Sequence, residues 1–169
     1  MPTHISFLRG INVGGNKKIR MADLKALYEA LGFSNVTTYV QSGNVVFDAD
    51  SDDVAALIAR IEAAIAERFG FDVTVLLRTA DDLRDILDGN PFPGVAAAKL
   101  HVLFLTAAPD PAVAETLTVP VVDGEDWALI GQEIYLHYPK SLQLLNRLLS
   151  SFFSCRAKQS CVRLRVLPE

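Results

Sequence analysis

The sequence predicts an α+β protein built from two tandem ferredoxin-like halves, each with the order β-α-β-β-α-β and an antiparallel sheet. Three observations predict it. Between His4 and Leu77 strand-like apolar runs and helical spacing follow one another in that order. Polar, glycine-bearing turns at Gln41–Asn44 and Gly131-Gln132 mark two hairpins. Finally, Leu100–Leu105 (LHVLFL) echoes Thr3–Leu8 (THISFL), each with histidine second and Phe-Leu at the end. The expected division is residues 1–78 for the first half, 79–99 for a connecting helix and loop, and 100–169 for the second half with an atypical tail.

Taken in order, His4–Leu8 is an apolar, aromatic and β-branched run that Arg9-Gly10 stops, as expected of a buried strand. From Met21, the positions Met21, Leu24, Leu27, Tyr28 and Leu31 keep helical spacing, and Gly32 supplies a left-handed stop. Val36–Val40 and Val45–Phe47 are β-rich runs joined by Gln41-Ser42-Gly43-Asn44, a hairpin. Asp48, Asp50, Asp52 and Asp53 then open a second helix, whose stripe is Val54, Leu57, Ile58, Ile61, Ile65 and Phe69. Those carboxylates suit the positive end of a helix and read as helix-start residues, not metal ligands. Asp72–Leu77 is the fourth strand, and Thr79 with Asp82 forms a capping box for a connecting helix to about Leu87. The loop Gly89–Gly94 closes it. In the second half, Leu100–Leu105 is a strand, Pro111–Leu117 is helix-like, and Trp127–Ile130 and Glu133–Tyr138 flank Gly131-Gln132, whose leading glycine suits a type II′ turn. Ser141–Phe153 carries Leu142, Leu145, Leu148, Leu149 and Phe152 at helical spacing, and Val162–Leu167 alternates like a half-exposed strand.

Composition bounds the function. The 169 residues are 50% hydrophobic and 21% charged. A chain of that length buries roughly 70% of its unfolded surface and needs no disulfide or metal to fold. No basic segment leads into an apolar run at the N-terminus, and no stretch approaches the roughly 18 apolar residues of a membrane span, so a cytoplasmic location without membrane partners is expected. Cys155 and Cys161 match neither a disulfide framework nor a redox or zinc pair and read as reduced thiols. A net charge of −4 argues against a protein coated in nucleic acid, while leaving room for a local basic patch.

Such a patch exists. Arg9–Arg20 (RGINVGGNKKIR) holds three glycines, two asparagines and four cations with no acidic side chain. In the β-α-β-β-α-β topology the spatial strand order is 4-1-3-2, so the end of the first strand lies beside the start of the third. The loop and the hairpin therefore meet at one rim. Gly10, Gly14 and Gly15 let backbone amides turn toward an anion, Arg9, Lys17, Lys18 and Arg20 bring charge, and Asn12, Gln41, Ser42 and Asn44, with the hairpin's Gly43 among them, offer hydrogen bonds. None of Lys17–Arg20 is a Ser, Thr, Asp or Asn that could cap the helix at Met21, which leaves its first amides open to an anion. The bland alternative is that the glycines relieve strain and the lysines only solubilise. The loop matches neither the phosphate-loop pattern nor the dinucleotide fingerprint, and no cofactor is implied.

Elsewhere the signals are weaker. Ser42 lacks the upstream glycine of a nucleophile elbow. His4 and His101 sit in equivalent apolar strands and read as structural, His137 reads as a packed or surface imidazole, and three scattered histidines make no metal site. Tyr135 and Tyr138 fall on opposite strand faces, which weakens a base-stacking role.

With RGINVGG at Arg9–Gly15, Met21-Ala22-Asp23-Leu24 and YVQSGNVVF at Tyr39–Phe47, the chain resembles the bacterial domain of unknown function 1697 (DUF1697) family. The similarity continues through Arg68–Val73, Asn90-Pro91-Phe92-Pro93, His101–Leu105 and Tyr135–Pro139. The resemblance implies paired α/β repeats and no particular reaction. Beyond Lys140 the family's Arg-Ser-Lys-Leu-like helix start and Arg-Asn-Trp-Asn-Thr motif are replaced by Lys140-Ser141-Leu142 and a tail without tryptophan, which reads as a replaced or frame-shifted gene end. Three readings stay open: a module that binds a phosphate-bearing ligand, nucleic acid or nucleotide, at the Arg9–Arg20 and Gln41–Asn44 rim; a small enzyme using that rim as a polar cleft, with His137 or a carboxylate as proton carrier; and an oligomerising interaction protein.

Overall fold

The computed structural model describes residues 1–39, 41, 43–96, 99–116, 121, 124–137 and the backbone of 161–165. The chain divides into two compact units, Met1–Leu87 and Asp88–Glu169. It is an α+β protein with two four-stranded antiparallel sheets.

In the first unit β1 (Thr3–Leu8), α1 (Met21–Ala30), β2 (Ser34–Tyr39), β3 (Asn44–Asp48), α2 (Val54–Phe69) and β4 (Val75–Thr79) follow one another, and α3 (Ala80–Asp88) comes last. The sheet order is β2-β3-β1-β4, with β1 antiparallel to both β3 and β4. Helix periodicity puts Leu24, Leu27 and Tyr28 of α1 and Leu57, Ile61 and Ile65 of α2 into one core with Leu8, Val45, Phe47, Val75 and Leu77 of the sheet. Full burial of each such side chain contributes about 1.5–3 kcal/mol. The Tyr28 ring packs edge-on against Phe47 with centroids 5.2 Å apart, and its hydroxyl shares a 2.9 Å hydrogen bond with Ser6 Oγ of β1. Burial pushes that hydroxyl's pKa well above the ordinary tyrosine range, partly offset by the Ser6 bond.

Two strand starts in this unit differ from expectation by more than one residue. β4 begins at Val75 instead of Asp72: Arg9 N–H still donates to Thr74 O at 2.9 Å, but Gly10 then turns away at φ +71°, so residues 72 and 73 face no partner strand. β2 begins at Ser34 instead of Val36, because the register shifts by one between Ser34 and Thr37. Asn35 occupies the left-handed region at φ +52° there, and its Nδ2 donates to Asp48 Oδ2 at 2.7 Å. Helix starts follow the acidic residues: Asp53 Oδ1 accepts from Ala56 N–H at the start of α2, and Thr79 and Asp82 exchange the two bonds of a capping box before α3.

In the second unit β5 (Leu100–Leu105), α4 (Pro111–Thr116), β6 (Asp126–Ile130), β7 (Glu133–His137) and β8 (Cys161–Arg165) give the sheet order β6-β7-β5-β8. All six residues of β5, the strand between β7 and β8, are buried. Gly131 has φ +60°, and Gln132 is not among the residues of positive φ, which makes the β6–β7 connection type II′. The expected helix Ser141–Phe153, Tyr138, Cys155 and the last two residues of the expected strand Val162–Leu167 lie outside the described residues. Among the described residues, no helix is long and apolar enough to cross a membrane.

Candidate functional site

The basic segment is a folded miniature, not an open loop. After Gly10 the chain inserts Ile11, which is 1% exposed, and then runs through a tight hairpin. Val13 and Asn16 form an isolated antiparallel bridge. Gly14 and Gly15 between them have φ +60° and +81°, the type I′ combination that side-chain-bearing residues rarely adopt. Asn16 N–H donates to Val13 O at 3.1 Å and Asn12 N–H to Lys17 O at 3.2 Å. Ile19, 2% exposed, returns the chain to the core before α1.

Asn12, held at φ +56°, ties this hairpin down. Its Oδ1 accepts from Ile19 N–H at 2.9 Å, while Nδ2 donates to Ile19 O and to Gln41 O, both at 2.9 Å. The bond to Gln41 joins the loop to the β2–β3 turn. Gly43 completes the junction: at φ +82°, a Cβ built on it would stand 2.4 Å from Ile11 Cδ1 and 3.1 Å from Leu8 Cβ. The loop and the hairpin thus meet, as the strand order required.

The chemistry of the rim differs from a simple sum of its residues. Asn12 gives both amide hydrogens to backbone carbonyls, so it holds the rim together and is not an open donor. Lys17, at φ +46°, points its Nζ to Asp72 O at 2.5 Å. Arg20 makes a two-toothed bond to Asp23, 2.6 Å through Nε and 3.1 Å through Nη2; that bond and the carboxylate's charge raise its pKa further. Lys18 is exposed and makes no ion pair or hydrogen bond among the described residues. Arg9 is half-buried, Asn44 is half-buried in the β3 ladder between Phe7 and Tyr39, and Gln41 is exposed. Ser42 lies outside the described residues. Arg20 occupies the N-cap position of α1, and no side chain caps that helix, in agreement with the residues preceding it.

Next to the loop, Lys17 also borders a shallow cleft of about 480 Å³ with Glu62, Asp72, Val73 and Thr74. Glu62 Oε1 accepts from Val75 N–H at 2.8 Å. Composition around the loop did not single out Glu62 or Asp72, nor the buried Ile11 and Ile19; the only local hint was two isoleucines eight positions apart inside a polar segment. Of the histidines, His4 is 1% exposed, its ring lies against Phe47, and neither ring nitrogen has a hydrogen-bond partner among the described residues. His101 is buried in β5, and His137 of the second unit lies half-buried beside the Phe92 ring. Among the described residues, no group of three or more His, Cys, Asp or Glu is arranged to hold a metal ion.

Fold and rim together define an α+β protein that carries a pinned glycine hairpin on its first unit. The fold is similar to that of the conserved bacterial protein SP0830 from Streptococcus pneumoniae, with a TM-score of 0.72 at 23% identity over 96% of this chain and 92% of that one. The model of the family described as "Protein of unknown function (DUF1697)" matches residues 1–135, and the chain belongs to that family. The match includes both the loop and the hairpin and ends before Lys140. No curated protein matches the chain.

Proposed function

We propose that the protein is a binding module for a phosphate-bearing ligand, a nucleotide or nucleic acid, held on the rim formed by Arg9–Arg20 and Gln41–Asn44. The observation that carries this reading is the Asn12 bond to Gln41 O, which holds an exposed glycine hairpin against a second turn. Beside that hairpin α1 starts without a side-chain cap, and exposed Lys18 supplies positive charge. We read each half as one ferredoxin-like repeat, and we place the protein in the bacterial cytoplasm.

The test is equilibrium binding of nucleotides and oligonucleotides as salt is raised. Affinity should fall as salt increases, and replacing Lys17, Lys18 and Arg20 together by glutamine should weaken it at least tenfold. Absence of salt-dependent binding to any of these probes would sink the proposal.

A further inference from the structure

Resting on that reading of the rim, we infer that the ligand is a single nucleotide, its phosphate on the glycine hairpin and its base on Tyr39, and not a nucleic-acid strand. Electrostatics limits the phosphates. A strand needs several of them neutralised along its length. Here Arg20 is matched by Asp23 and Lys17 is turned to the carbonyl of Asp72, just before β4, which leaves Lys18 as the exposed cation without a partner among the described residues. Asp72 and Glu62 stand beside Lys17 and would repel a second phosphate there.

The sheet limits the bases. Modules of this element order that bind RNA strands stack successive bases on aromatic side chains of the open sheet face. In this chain the equivalent face is closed at its centre: Phe7 of β1 is 2% exposed and its cross-strand partner Leu76 of β4 is 3% exposed. The row continues the other way, from Phe7 to Asn44 to Tyr39. Directly paired residues share a face, so Tyr39 carries that face to the sheet edge. Tyr39 is 54% exposed and stands two residues before Gln41, whose carbonyl is bonded to Asn12 of the loop. Exposed Lys18 directly precedes Ile19, which Asn12 holds at the other end of the same junction. Together Tyr39 and Lys18 suit one base and one phosphate group.

The experiment titrates the full chain with adenosine monophosphate, inorganic phosphate, pyrophosphate and a twelve-residue oligothymidylate, in about 50 and 200 mM salt. Adenosine monophosphate should bind more tightly than inorganic phosphate. Tyr39→Ala should weaken it about fivefold or more, Tyr39→Phe should restore it, and neither should change pyrophosphate binding. Lys18→Gln should weaken every probe. Over that salt change the oligonucleotide should lose only about three- to sevenfold, as for one or two neutralised phosphates. A loss near fiftyfold, as for four phosphates, or indifference of adenosine monophosphate to Tyr39→Ala, would overturn the single-nucleotide inference and leave the anion rim standing. If none of the four probes binds, the rim reading itself fails and the inference falls with it.

Discussion

Gly43 shows how one residue can hold two segments together. It meets two constraints at once, a left-handed backbone and the absence of room for a Cβ against Ile11. Gly14 meets only the first, because a Cβ there would have nothing within 4 Å. Gly43→Ala should therefore destabilise the protein by about 2–4 kcal/mol, adding overpacking to the left-handed cost. Gly14→Ala should lose only about 1–2 kcal/mol. Urea unfolding midpoints check the pair, and equal shifts would contradict the packing argument. Asn12 and Arg20 carry the companion lesson about polar residues. Their types suggested ligand contacts, yet both carboxamide hydrogens go to backbone carbonyls, its oxygen accepts from Ile19 N–H, and the guanidinium is matched by Asp23. The Arg20–Asp23 pair was legible, since residues three apart at a helix start face each other. The Lys17 bond to Asp72 O, 55 residues away, was not.

Among the elements, β2 and β4 are the edges of the first sheet, and each is modified. On β4, Val75 N–H is taken by Glu62, Leu77 C=O accepts from Arg78 Nη1, and Thr79 N–H is taken by Asp82. Side chains thus occupy backbone groups that would otherwise pair with another chain. On β2 the bulge at Asn35 serves the same end, and Asp48 holds it by accepting from Thr3 Oγ1 at 2.6 Å and from Asn35 Nδ2. These two bonds, Thr3's first, lower the Asp48 pKa from its ordinary value near 3.8. A carboxylate whose folded pKa is depressed contributes stability above its unfolded pKa and loses it as pH falls through the folded one. The stability difference between the protein and its Asp48→Asn variant should be constant near neutrality, then shrink as pH drops below about 4. Chemical unfolding across that range measures it, and a difference that grows in acid would contradict the assignment.

For the molecule as a whole, the first unit has a complete sheet, and the core cluster from Leu8 to Val75 and Leu77 lies within it. A chain ending at Asp88, after the last residue of α3, should fold cooperatively by itself, shown by a single sigmoidal urea transition in far-ultraviolet circular dichroism. A gradual loss of signal would mean that the unit depends on the rest of the chain. The proposed rim belongs entirely to this unit, so the fragment should also keep any affinity for the probes above.

By itself the sequence determined the order of elements and the helix starts and stops of the first unit, the hairpin turns, and the adjacency of the Arg9–Arg20 loop to Gln41–Asn44. Periodicity, capping residues and glycine positions are local properties, and strand order follows from the succession of elements. Only the tertiary structure decided where β4 starts and which polar groups at the rim remain open. Those outcomes depend on partners distant in sequence: Gly10 turning away from residue 73, Gln41 O reaching Asn12, and Asp72 O receiving Lys17. A hydrogen-bonding group can be read from its residue type, but whether its capacity is already filled is settled by what folds against it.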